Sequence, residues 1–194
     1  MPADPLSLLD TAARLGQYRW ADQRLFEILG EWGVTTPELE VKALLATFSA
    51  HHAWRAEQWL ARMPELREVD SEALTVPPGP RAAEAFEVLA AADTTVTRLA
   101  GVVRVALPRA IAVHDDHLAR CTPVADAPLA RSLRMVLDDE VMSAGDFVRN
   151  MKQLVDLLRQ IAAAAPTADL ATTAHEAVGR VQRGLVLAST VVAT

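Results

Sequence analysis

Among its 194 residues the chain has one cysteine and eight glycines. Cys121 by itself cannot close an internal disulfide, so the fold must rest on packing. Few glycines and few alternating β-branched runs leave little material for hairpins, and an all-helical chain is expected. No apolar run reaches the roughly 18 residues that a membrane helix needs. The nearest, Gly184 to Thr194, is too short. The opening MPADPLSLLD carries Asp4 and Asp10 and no basic region ahead of an apolar stretch, so it does not read as a secretory signal. A cytoplasmic protein without a membrane partner is expected. Positive charge is not in excess: the formal net charge is −6, which argues against a basic face and so against a nucleic-acid partner. A phosphate-binding glycine loop is missing, as is a serine set beside a base and an acid.

What the chain does have is clear helix punctuation. Asp4-Pro5, Thr36-Pro37 and Asp126-Ala127-Pro128 each set a capping side chain ahead of a proline, which lacks the N–H that a first turn leaves unpaired. The pattern predicts a first helix over about Pro5–Trp32 and a second over Pro37–Met63. An irregular crossover then spans Pro64–Pro80. A third helix is predicted over Arg81–Arg120, with Pro108 kinking it near Val105–Leu107. A fourth runs over Ala127–Ala164, and a fifth over about Asp169–Val191. Short links join the first two helices and the third and fourth, whereas the second and third are far apart. Two hairpins joined by one long crossover is the ferritin-like order of a four-helix bundle. One domain over residues 1–194 is expected, with the bundle at about 5–164 and the extra helix at about 169–191.

Helical phase selects the inward polar groups. In the second helix His52 falls in the row Val41, Leu45, Phe48, Ala56, Trp59, with His51 nearer the edge. In the fourth, Glu140 is the single acid in the row Leu129, Leu133, Val136, Ala144, Phe147. A buried carboxylate without a partner costs several kcal/mol, so a partner from another helix is expected. His117 and His114 end the inward rows of the third helix. The first offers Asp22, or Glu27 about one row away. Imidazoles and carboxylates from separate helices are what a metal site inside a bundle requires. The same groups also suit a buried hydrogen-bonded network that sets helix register. The tryptophans at 20, 32, 54 and 59 suit core or dimer packing better than a cofactor box, and Cys121 suits a buried thiol.

The helix order and the segment VLDDEVMSAGDF resemble the ferritin-like superfamily. That resemblance implies Glu-x-x-His on the second and fourth helices, holding iron or manganese. Glu140 matches the fourth-helix glutamate, with Ser143 where the histidine would stand. His52 matches the second-helix histidine, with Ser49 where the glutamate would stand. Glu27 matches the first-helix carboxylate, and His114 or His117 takes the place of the third. The implied metal set is Glu27, His52, His117 and Glu140, with Asp22, His51 and His114 as substitutes. Two readings follow. The first is a ferritin-like binding or structural protein, a homodimer with a small-molecule ligand in the bundle and no standard di-iron centre. The second is a metal-dependent oxidase or hydroxylase with a non-standard iron or manganese site.

Overall fold

The computed structural model describes residues 4–141, apart from Glu68, and these are helical with no β-strand among them. The fifth helix expected at Asp169–Val191, the end of the fourth and Ser143 lie outside the described residues.

The first helix, α1, spans Leu8–Thr35, and α2 spans Leu39–Leu60. Ser7, rather than Asp4, caps α1: its hydroxyl accepts from the Asp10 backbone N–H at 3.1 Å. The link at 36–38 is too short for anything but an antiparallel return. Ser49 Oγ donates to the Phe26 carbonyl at 2.9 Å, Asp22 bonds His52, and Tyr18 stacks on Trp59, so one helix descends as the other climbs. Ser49 is thus a buried packing contact between helices. A Cβ on Gly30 would stand 3.4 Å from its hydroxyl, so glycine and serine together admit this close approach.

The crossover from 61 to 79 is irregular, with one 3₁₀ turn at Glu72–Leu74. It lies on α1. Arg19 donates to Thr75 Oγ1 at 2.9 Å and pairs with Glu72 at 2.9 Å. Gly16 faces the same turn: a Cβ there would stand 2.0 Å from the Leu74 carbonyl oxygen.

The predicted single third helix does not exist as one rod. It is divided into α3 (Pro80–Ala90), α4 (Thr95–Gly101), a π-helical turn (Val102–Ala106) and α5 (Leu107–Arg120). The main break falls at 91–94, where Thr94 accepts from the Thr97 N–H and Thr97 bonds back to the Thr94 N–H, a reciprocal cap that starts a new helix. Pro108 is absorbed differently. It has no N–H to give to a carbonyl one turn back, and its ring crowds that turn. The backbone widens just before it, so that the Leu107 N–H reaches back five residues to the Val102 carbonyl. The fourth helix, α6, is helical over residues 127–141 within the described part.

Two apolar clusters fill the interior. One gathers the C-terminal half of α1, the N-terminal half of α2, and α3, α4 and the π turn around Leu29, Trp32, Leu45 and Phe48. The other gathers Leu15, Tyr18 and Trp59 with Leu129, Leu133 and Val136 of α6. No helix of the described residues is long and apolar enough to cross a membrane.

Two of the three glycines of α1 make opposite predictions. Gly16→Ala must push the crossover backbone off α1 and should cost about 1–3 kcal/mol, as overpacking does. Gly33→Ala meets nothing within 4 Å, and should gain up to about 1 kcal/mol of helix propensity. Urea unfolding of both variants checks the sign. Equal effects would show that the crossover does not clamp Gly16.

Candidate functional site

Between the apolar clusters lies a belt of buried polar side chains drawn from α1, α2, α5 and α6. Asp22 is its first node. One carboxylate oxygen is 2.6 Å from His52 Nδ1 and the other accepts from Trp59 Nε1 at 2.6 Å. An ionised carboxylate only accepts, so His52 carries its proton on Nδ1. Trp59 and His52 are both buried, and their spacing on α2 lets them grip the two oxygens from one side.

Arg55 is the second node and has no exposed surface. Its Nε and Nη2 donate to Asp139 Oδ2 at 2.9 and 2.5 Å, while Nη1 stands 3.8 Å from Glu140 Oε1. His51 reaches the other oxygen of Asp139 at 3.1 Å. Glu140, also fully buried, lies 3.1 and 3.2 Å from His114 Nδ1 through its two oxygens. Just beyond the end of α2, Arg62 donates to Ser132 at 2.9 Å. These contacts set α6 antiparallel to α2 and hold it there.

The third node is Tyr18, whose hydroxyl donates to the Val113 carbonyl at 3.3 Å and accepts from His117 Nδ1 at 3.2 Å. Because the one phenolic proton is used on the carbonyl, His117 Nδ1 must be the donor. Burial pushes the His117 pKa down to about 4, and the charges of Arg14 and His114 add to that. Burial also raises Tyr18, which stays protonated. The ring of His114 packs edge-on against Tyr18 at 4.6 Å and against Trp59 at 4.9 Å.

The structure therefore brings Asp22 together with His52, and His114 together with Glu140. It sets His117 on Tyr18 and His51 on Asp139. Glu27 stands apart: its side chain is exposed and bonds Arg24 at 2.7 Å. Among the described residues no three His, Cys, Asp or Glu side chains group as a metal ion would require. Arg55 was not singled out by the sequence reading. It stands three residues after His52 and four before Trp59, and that spacing was the available signal. The Tyr18–Trp59–His114 stack was missed as well.

Beside the belt lies a cavity of about 360 Å³ between α1, α3 and α5. Tyr18, Asp22 and His114 reach it from the belt. Arg14, Arg109 and Asp116 stand at its more exposed side. Asp116 accepts from Arg14 at 2.9 Å and from Arg120 at 3.1 Å. The Arg120 bond, with Arg14 adding, holds its carboxyl below the usual range against partial burial.

Two outcomes test the belt. Arg55→Met leaves the buried Glu140 and the partly buried Asp139 without their guanidinium, and should destabilise the fold by about 3–5 kcal/mol in urea unfolding; a loss under about 1 kcal/mol would show the belt does not hold α6. His117 governs a pH response. Its folded pKa lies below the ordinary 6.5, so below pH 6.5 the unfolded chain binds a proton that the folded chain refuses, down to about pH 4. Stability should fall over that window by up to about 1.4 kcal/mol per pH unit. Comparing His117→Gln with the parent at pH 7 and pH 5 should show roughly 2 kcal/mol less acid sensitivity in the variant. Identical pH dependence would refute this account of His117.

Similarity to known proteins changes how the belt is read. Residues 122–189 match the family model described as the DSHCT (NUC185) domain. Over 45 residues, 23% of this chain, the sequence is 53% identical to the "Probable helicase HelY" of Mycobacterium leprae (strain TN), covering 5% of that protein. Over 43 residues, 22% of this chain, it is 51% identical to the protein of the same name from Mycobacterium tuberculosis (strain CDC 1551 / Oshkosh), again covering 5%. The matched stretch is thus about a twentieth of those relatives' length. No solved structure matches. These similarities overturn the ferritin-like resemblance and with it both readings built on it, the binding or structural bundle protein and the iron or manganese enzyme. Inward histidines and acids at helical spacing arise in any buried polar layer, and here they bond one another. The expectation of no connection with nucleic acid falls too, because a net charge averages over a surface and says nothing of one face. The described part of the match, 122–141, is the segment that Arg55, Arg62 and His114 bind.

Proposed function

We propose that this chain is a helicase-associated helical unit that works alongside a nucleic-acid-unwinding polypeptide and itself touches the unwound strand. The observation that carries the reading is the DSHCT match over 122–189, supported by the stretch of more than 50% identity to helicases. The chain has no phosphate-cradling glycine loop of its own. The proposal therefore assigns ATP-driven translocation to the helicase and a rigid contact surface to this chain.

Rigidity is where the geometry supports it. The family-matching segment begins just after α5, and its described part is tied to the preceding part of the chain by Arg55–Asp139, Arg62–Ser132 and His114–Glu140. Residues 1–194 act as one unit in this proposal, since a strand contact on either half is transmitted through bonds made inside the core. A cytoplasmic setting belongs to the same reading.

Fluorescence anisotropy with labelled single strands of RNA and DNA, and with duplex, tests this. The expected result is binding to single strands with a Kd in the range of about 10⁻⁴–10⁻⁶ M, weakening as salt rises from 50 to 200 mM. No binding to any of these at 50 mM salt would overturn the reading.

A further inference from the structure

The cavity between α1, α3 and α5 is used by nothing described above. Its volume, about 360 Å³, is at the small end of the roughly 300–1,000 Å³ typical of ligand pockets. That suits one ring system with its attachment better than a large ligand or a helix. The walls are built from small side chains on three helices, Ala21, Ala82, Ala85 and Ala110 among them. Small residues on facing helices leave a space with largely apolar walls. Trp20 and Phe86, with centroids 5.0 Å apart, close one side.

Polar groups occur at two levels. Inside, His114 is 3% exposed and has its Nδ1 committed to Glu140, which leaves Nε2 as the ring atom for a ligand. Gln17, on α1, adds an amide that can both donate and accept. Asp22 also lines the space, but its oxygens are taken by His52 and Trp59. Towards solvent stand Arg14 and Arg109. Asp116, beside Arg14, is shared by Arg14 and Arg120, so this cluster sets two guanidinium groups against one carboxylate.

A guest that fits must be flat and apolar on its faces, polar on its edge and tethered to negative charge. Resting on the reading of the chain as a strand-contacting unit, we propose that this cavity receives a single nucleobase of an unpaired strand, with the Arg14–Asp116–Arg120 cluster, cationic on balance, meeting a flanking phosphate. The base faces lie against the alanine walls and the aromatic side, and its edge meets His114 and Gln17. Stacking of this kind tolerates any base, so sequence preference is weak.

The test compares two oligonucleotides of equal length and charge, one normal and one with abasic sugars throughout. The full chain should bind the normal strand roughly tenfold more tightly. Filling the cavity from α5 with Ala110→Phe, or from α1 with Gln17→Trp, should bring the normal strand down to the abasic level. Two variants from separate walls guard against one that fails to fold, and thermal unfolding identifies such a variant. Equal binding of the two strands by the parent chain overturns the cavity proposal while the strand-contact reading stands. A tenfold preference that survives in both folded variants overturns it as well. If neither strand binds, the reading beneath it fails and the proposal falls with it.

Discussion

A guanidinium with no exposed surface cannot be left unpaired, and Arg55 is such a group. Its burial is tolerable only because Asp139 takes two of its N–H groups and Glu140 lies close by. Both acids belong to α6, and Glu140 in turn is faced by His114 of α5. One charged side chain on α2 therefore obliges two other helices to stand where they do. The two apolar clusters pack above and below this belt. They supply most of the burial, but apolar contact tolerates sliding, whereas ion pairs in a dry interior do not. The belt sets the register that the apolar clusters then fill.

The same logic explains how the segmented run from α3 to α5 stays in place. The capping threonines at 94 and 97 end the reach of α3, and the wide turn before Pro108 shifts the phase of α5. Beyond that turn His114 and His117 both face inward, one to Glu140 and one to Tyr18. A straight helix over Arg81–Arg120 would leave no corner between α1, α3 and α5, and the cavity lies in that corner. Structure at the break and chemistry at the belt are linked through one proline.

The described part of the segment of family similarity, 122–141, meets α2, the turn just after it and α5. Its described portion contributes Ser132, Asp139 and Glu140, each bonded to a side chain from outside the match. A unit that works beside a helicase must hold its shape while a strand moves past it. Bonds made inside the core suit that demand better than surface pairs such as Arg24–Glu27, which are screened by salt and weak.

Sequence alone determined the helical character, the tight return between α1 and α2, the crossover, and the inward phase of His52, His117 and Glu140. Those features follow from local rules: caps, prolines and a period of 3.6 residues. The need for Glu140 to find a partner on another helix was also legible, from the cost of burying a lone carboxylate. Which partner it found was not. The break at 91–94 had a local signal in Asp93-Thr94-Thr95, a run of capping-prone residues, but no proline or glycine drew attention to it. Only the tertiary structure decided that Asp22 rather than Glu27 meets His52, that Ser49 is a packing contact, and that Arg55 is buried. Helical phase says which way a side chain points. It cannot say what stands opposite, because that depends on how distant helices slide and rotate against one another until every buried charge is matched.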